Sequence, residues 1–197
     1  MKKLELSMAL ALILSIFLGN FAGFSQNLEN LKQDVLRLHI LANSDSEEDQ
    51  ALKLQVRDAL LEQSEELFAG CETLEDMKQT VLSKQAEIQD IAEKTLRDAG
   101  CPDSVEVSLE KTRFDVREYE NFTMPAGEYD ALRILIGEAQ GHNWWCVMYP
   151  PLCIPVAEPE QYFDDDTVEL LEYPEKYEIK FKCVEIWEKL TQKIRIK

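Results

Sequence analysis

Hydrophobic and polar positions follow two different periods along the chain, and the period changes near residue 100. Leu36, Leu38 and Ile40 share one face of an alternating stretch, which predicts a strand that ends at Asn43. Apolar residues then recur at helical spacing over 52–68 and again over 74–99. The first half of the chain therefore predicts one strand followed by two helices.

Polar residues and glycines mark where these two helices begin and end. In the segment 44–49, serines are followed three residues later by acids, which is the pattern of a capping box. Gly70 ends the first helix, Thr73 opens the second, and Gly100 ends it. Because the link between the helices is short, they are expected to pack as an antiparallel hairpin.

The second half of the chain alternates with a period of two. Alternation over 105–109, 128–137 and 144–149 predicts strands, and 114–122 and 177–190 are weaker strand candidates. The predicted fold class is α+β, with an antiparallel sheet covered on one face by a two-helix hairpin, in the order β-α-α-β-β-β-β.

The composition of the two ends predicts three regions. Two lysines precede the uncharged apolar stretch 8–19, which has the length of a signal-peptide core, so 1–25 is interpreted as a signal peptide or N-terminal anchor. A single α+β domain is expected over 26–155. The region 156–197 is interpreted as an acidic linker, solvated or loosely helical, followed by a C-terminal strand or extension.

The charge balance limits the classes of partner. The chain has 197 residues and a formal net charge of −17, while 45% of its residues are apolar. This composition is sufficient for a buried core, but the acidic surface repels nucleic acid and anionic membrane surfaces. We therefore expect no nucleic-acid partner, and membrane contact only through the N-terminal segment.

The five cysteines have different prospects of oxidation in an exported protein. Cys146 and Cys153 lie close in sequence and form the natural pair. Cys71 and Cys101 bracket the second predicted helix, so their thiols are expected to lie far apart. Cys183 lies in the tail, and the odd count leaves at least one thiol free.

Two enzymatic interpretations of the same region remain open. Cys146 is a candidate nucleophile with His142 as its base, since residues four apart on a strand share a face. His142, Cys146 and Cys153 are also candidate zinc ligands, although their spacing matches no zinc signature. A disulfide is the favoured interpretation over both, so no catalytic residue, metal or cofactor is expected.

The aromatic stretch beside these cysteines predicts a contact surface. Trp144, Trp145 and Tyr149 fall in a loop that a disulfide and two prolines would make rigid, and rigid aromatic side chains are typical of interface hot spots. Neighbouring strand residues point to opposite faces, so at most one tryptophan packs beneath the helices. Interaction surface and core filler remain alternative interpretations.

Two long stretches resemble one protein family. These are LRLHILANSDSEEDQALKLQVRDALL, residues 36–61, and MPAGEYDALRILIGEAQGHNWWCVMYPPLC, residues 124–153. Both are similar to the stage II sporulation protein R family of endospore-forming bacteria. The resemblance implies a protein made in the forespore and exported into the space between forespore and mother cell. There it would activate a membrane-embedded aspartic protease that processes the sigma-E precursor.

The resemblance favours a signalling ligand over an enzyme. Besides the three aromatic residues, a polar patch near the first strand and helix start is expected to contact the protease. Its predicted members are Arg37, His39, Asn43, Asp45, Lys53 and Arg57. The alternatives are an exported hydrolase that uses Cys146 or a metal, and a structural component of the spore envelope.

Overall fold

The elements of secondary structure follow the predicted change of period. The structure, a computed structural model, describes residues 2–119, 122–150, 159, 162–177 and 181. Its helices are α1 (Lys2–Gln33), α2 (Glu47–Glu62), α3 (Ser64–Leu67), α4 (Leu74–Ser83), α5 (Gln85–Asp98) and α6 (Asp165–Glu172), followed by a 3₁₀ turn (Pro174–Tyr177). Its strands are β1 (Leu36–Leu41), β2 (Val105–Phe114), β3 (Arg117–Glu118), β4 (Thr123–Met124), β5 (Gly127–Ile136) and β6 (Asn143–Tyr149).

The chain divides into two compact units. One, called here the sheet unit, comprises residues 33–115 and 126–158 and contains β1, β2, β5, β6 and helices α2 to α5. The other comprises 1–32, 116–125 and 159–197 and contains α1, β3, β4 and α6. The candidate site described below lies within the sheet unit.

The sheet unit is built on four strands in the order β2-β5-β1-β6. β2 pairs antiparallel with β5, and β1 pairs antiparallel with β6. β1 and β5 are parallel, which differs from the wholly antiparallel sheet that was expected. The alternation of apolar and polar residues determines which side chains share a face, but it does not determine the direction of the neighbouring strand. The broad α+β class is confirmed.

Both predicted helices occur, and each has one break. Ser46 caps α2 by accepting a hydrogen bond from the amide of Asp49, and Thr73 forms a full capping box with Asp76 at the start of α4. The first helix is interrupted at Gln63 and the second at Lys84. These helices cover one sheet face with a continuous apolar core that includes Leu38, Ile40, Val56, Ile88, Ala92, Leu96, Leu132 and Ile134.

The second unit contains the acidic segment of the sequence. Asp164 caps α6, and three residues of this helix are buried, so the described part of the segment includes a helix with an apolar face. Phe24 of α1 stacks on Tyr177 and meets Phe181 edge to face.

The predicted strand over 177–190 falls mostly outside the described residues. Of its residues the structure describes only Tyr177, which ends the 3₁₀ turn, and Phe181, which is helical. The candidate strand over 114–122 contains the end of β2, the short β3, and the described residues 115, 116, 119 and 122, which belong to no strand; residues 120 and 121 lie outside the description. No helix in the described part of the chain combines the length and apolar character needed to cross a membrane.

Candidate functional site

Two loops lie side by side at one end of the sheet. The loop after β1 covers 42–46, and the loop between β5 and β6 covers 137–142. The amides of Gln140 and Gly141 donate to the carbonyls of Asn43 and Ala42 at 3.1 and 3.0 Å. We call this pair of loops the loop junction.

Glycine is required twice in the loop junction because the two loops approach so closely. A Cβ at Gly141 would lie 2.1 Å from the carbonyl oxygen of Ser44. Gly137 has a φ of +57°, and a Cβ there would lie 2.4 Å from Oδ1 of Asn43. Only glycine permits this contact without displacing the opposite loop.

Side chains of the first loop bind the second loop and the helix start. Asn43 Oδ1 accepts from the amide of Glu138 at 2.9 Å, and Asp45 Oδ1 accepts from the amide and the ring Nδ1 of His142. The Asp49 carboxylate accepts from the Ser44 hydroxyl and the Asn43 amide. The bond from Ser44 lowers the pKa of Asp49, because it stabilises the charged form.

A lysine and an arginine of α2 continue this polar surface towards β6. Lys53 is only 4% exposed and donates to Gln50 Oε1 at 2.5 Å and to the carbonyl of His142 at 2.8 Å. The Arg57 guanidinium lies 4.4 Å above the ring of Trp144, which is half-buried against the core. The loop junction, α2 and the start of β6 thus form one continuous surface.

Three of the remaining predicted residues, Arg37, His39 and Trp145, lie on the opposite face of the sheet. Arg37 is fully buried, with its guanidinium 4.1 Å from the ring centre of Phe114 and 5.0 Å from that of Tyr129. His39 is 6% exposed and meets Phe114 and Trp145 at ring distances of 5.5 and 5.9 Å. Alternation explains the separation, because residues 37 and 39 point away from the helix-covered face of β1.

Comparison with known proteins shows which family has these features. Residues 32–158 match the family model described as stage II sporulation protein R. The chain belongs to this family. The stage II sporulation protein R of Bacillus subtilis (strain 168) is 40% identical over 123 residues, which are 62% of this chain and 55% of that protein. The chain therefore matches about half the length of this curated relative, and no solved structure matches.

The family match covers the whole candidate site. It begins just before β1 and ends after β6, so both loops of the junction, α2 and the aromatic strand belong to the family region. A role in sporulation follows from this membership. The sheet separates the predicted contact residues into two groups. One group lies around the loop junction, while Arg37, His39 and Trp145 lie on the opposite face of the sheet.

Tyr149 lies on the helix side of β6 although it directly follows Met148. The pairing of β6 with β1 shifts between Leu36 and Arg37, so Leu36 opposes Tyr149 while Arg37 opposes Val147. Tyr149 packs on the core, and its hydroxyl donates to the carbonyl of Glu72 at 3.0 Å. Neither the shift nor this contact has a signal in the sequence.

The residues of the two enzymatic alternatives have different surroundings. Cys146 is 4% exposed within the core, whereas the side chain of His142 is 79% exposed and bonded to Asp45. This arrangement does not form a nucleophile with its base. Cys153 lies outside the described residues, and in the described part no three His, Cys, Asp or Glu side chains are grouped for a metal.

The contacts of His142 and the two glycines with the first loop were not predicted from the sequence. The glycines of GEAQGHN, residues 137–143, are typical of a turn and are the available signal for a close backbone approach. The opposing loop could not be identified, because it depends on the parallel pairing of β1 with β5.

Because His39 is buried, we expect the free energy of unfolding to depend on pH. Burial lowers the pKa of His39 from 6.5 to about 4, and the charges of Arg133 and Arg37 add to this effect while Asn143 and Glu110 oppose it. Between these pH values the unfolded chain binds a proton that the folded chain does not. The free energy of unfolding should therefore fall as pH drops from 6.5 to 4, by at most about 1.4 kcal/mol per pH unit from this group.

Urea unfolding at several pH values measures this contribution. His39→Gln should flatten the profile between pH 6.5 and 4 relative to wild type. Parallel profiles for wild type and His39→Gln would contradict a neutral buried imidazole.

Proposed function

We propose that this chain is an exported sporulation signal that activates the membrane-embedded aspartic protease processing the sigma-E precursor. In this proposal it is secreted from the forespore into the space between the forespore and the mother cell. It acts as a protein ligand and breaks no bond itself. The observation that carries the proposal is the family match over 32–158, which spans the sheet, its helices and the loop junction.

The arrangement of residues on the sheet unit supports a binding role. The polar groups of the loop junction are held by hydrogen bonds between neighbouring loops, and Lys53 is held by two more. A surface that is ordered before binding loses little conformational entropy when a partner docks. To activate the protease, the ligand must bind its active state more tightly than its inactive state.

The proposed contact surface combines the loop junction with the aromatic strand. Trp144 and Tyr149 are half-buried on the helix side, where Arg57 lies over the ring of Trp144. Trp145 is half-buried on the other side. Each of the three aromatic side chains is therefore partly exposed, and that part is available to a partner.

Removal of the tryptophans is expected to abolish signalling in a protein that still folds. Trp144→Ala and Trp145→Ala should each lower processing of the sigma-E precursor at least tenfold, because buried aromatic anchors carry a large share of interface energy. The measurement is the ratio of processed to unprocessed precursor in cells that also produce the protease. Circular dichroism of the purified variants verifies the fold.

Tyr173 provides a matched control for Trp144. It is 46% exposed in the other unit and carries Lys176 4.3 Å from its ring centre, as Trp144 carries Arg57. Tyr173→Ala should leave processing unchanged. If both tryptophan variants signal at the wild-type level, the aromatic strand is not the contact.

We propose further that a disulfide joins Cys146 to Cys153. The free thiols found in the described residues are Cys71 and Cys101, and Cys146 is not one of them. Closing so short a loop would stabilise the fold by roughly 2.5 kcal/mol. Non-reducing mass mapping should find these two cysteines in one linked peptide and Cys71 and Cys101 alkylated; alkylated Cys146 would exclude the bridge.

A further inference from the structure

An apolar cleft opens beside the aromatic strand in the sheet unit. Its volume is about 280 Å³, nearly twice that of an engineered apolar cavity that binds benzene. Leu38, Ile88 and Leu132 of the core form part of its lining. Ser64 and Glu65, at the start of α3, are its polar lining residues. The break between α2 and α3 thus lies at this cleft.

The segment that lines one side of the cleft is strongly acidic. Residues 58–76 contain acids but no lysine or arginine. Glu62 at the end of α2 and Glu65 and Glu66 in α3 are all exposed. The nearest preceding cation, Arg57, is already paired with Asp58 at 2.6 Å. Lys84 is a cation at this rim, where it donates to the carbonyl of Glu66 at 3.4 Å. The three glutamates outnumber it, so an apolar cleft is combined with a net negative charge.

We propose that this cleft is the docking site for a basic segment of the protein partner, which inserts one large apolar side chain. The proposal deepens the proposed function, on which the identity of that partner rests. The apolar lining selects a side chain such as leucine or phenylalanine. The acidic rim selects flanking lysine or arginine and accelerates encounter, an effect that salt screens.

A matched pair of serine substitutions tests the cleft directly. Ser64 lines the cleft and donates to the carbonyl of Leu61 at 2.7 Å, while the exposed Ser83 donates to that of Thr80 at 3.0 Å. Ser64→Trp fills the cleft from its edge, whereas Ser83→Trp adds the same side chain elsewhere. The probe is a short helical peptide with one leucine between lysines, titrated into the full chain.

The expected result is saturable binding that Ser64→Trp weakens at least tenfold and Ser83→Trp leaves unchanged. Glu65→Lys should weaken peptide binding, whereas Glu87→Lys, at an exposed position of α5, should have little effect. Added salt should reduce the affinity of the wild-type chain for the peptide. A peptide with serine in place of leucine should bind at least tenfold more weakly. Loss of binding in Ser83→Trp as well would overturn the assignment.

Other occupants of the cleft give different results. A wild-type dimer in sedimentation that Ser64→Trp dissociates would overturn the proposal in favour of a second copy of the chain. Equal binding of lysine-flanked and glutamate-flanked peptides would overturn the basic partner. If wild type triggers precursor processing and Ser64→Trp does so equally, this docking site is wrong while the signalling function stands. If wild type triggers none, the proposed function fails, and peptide binding still decides the cleft.

Discussion

Arg37→Ala is expected to lower the free energy of unfolding by about 3 kcal/mol, as truncations of large buried side chains do. Arg37 is fully buried, and its guanidinium lies against the rings of Phe114 and Tyr129. The substitution removes the packing of the side chain and the attraction between a cation and two ring faces. Chemical denaturation of the two purified proteins measures the difference.

Two further variants separate the contributions of shape and charge. Arg37→Lys keeps the charge but loses the planar group that stacks on rings, so it should recover only part of the loss. Arg97→Ala is the control, because Arg97 is 61% exposed on α5 and should change stability by less than about 0.5 kcal/mol. An Arg37→Ala protein as stable as the Arg97→Ala protein would contradict a structural role for Arg37.

This role illustrates what the sequence alone could predict. Alternation correctly placed Leu38 and Ile40 on the core face, which leaves residues 37 and 39 on the other face. A cation on the second face of a strand is usually solvated, and the pattern around Arg37 predicted a polar contact residue. Its burial against Phe114 and Tyr129 depends on β2 and β5, which lie far away in sequence.

Local signals explain why the helices were predicted better than the site. The caps at Ser46 and Thr73 are satisfied within a few residues of themselves, so their sequences suffice to locate them. The loop junction instead joins residues almost a hundred positions apart, such as Asp45 and His142. Its existence follows from the parallel pairing of β1 with β5, which no local pattern encodes.

Gly141→Ala is expected to destabilise the chain by about 2–3 kcal/mol, the cost of forcing an atom into occupied space. The new Cβ would lie 2.1 Å from the carbonyl oxygen of Ser44 and 2.6 Å from its carbon, and both atoms belong to the backbone. The loops must therefore separate. Gly100→Ala is the control: its Cβ meets nothing within 4 Å, and its φ of +79° alone should cost about 1 kcal/mol.

The same substitution connects the loop junction with signalling. Separation of the loops breaks the bonds that His142 donates to Asp45 and displaces the His142 carbonyl that Lys53 binds. If these groups form the contact surface, Gly141→Ala should reduce precursor processing more than Gly100→Ala does when equal amounts of folded protein are compared. Amide hydrogen exchange at His142 reports the opening independently of activity. Rapid exchange with normal processing would show that the loop junction serves stability alone and that the partner binds elsewhere on the sheet unit.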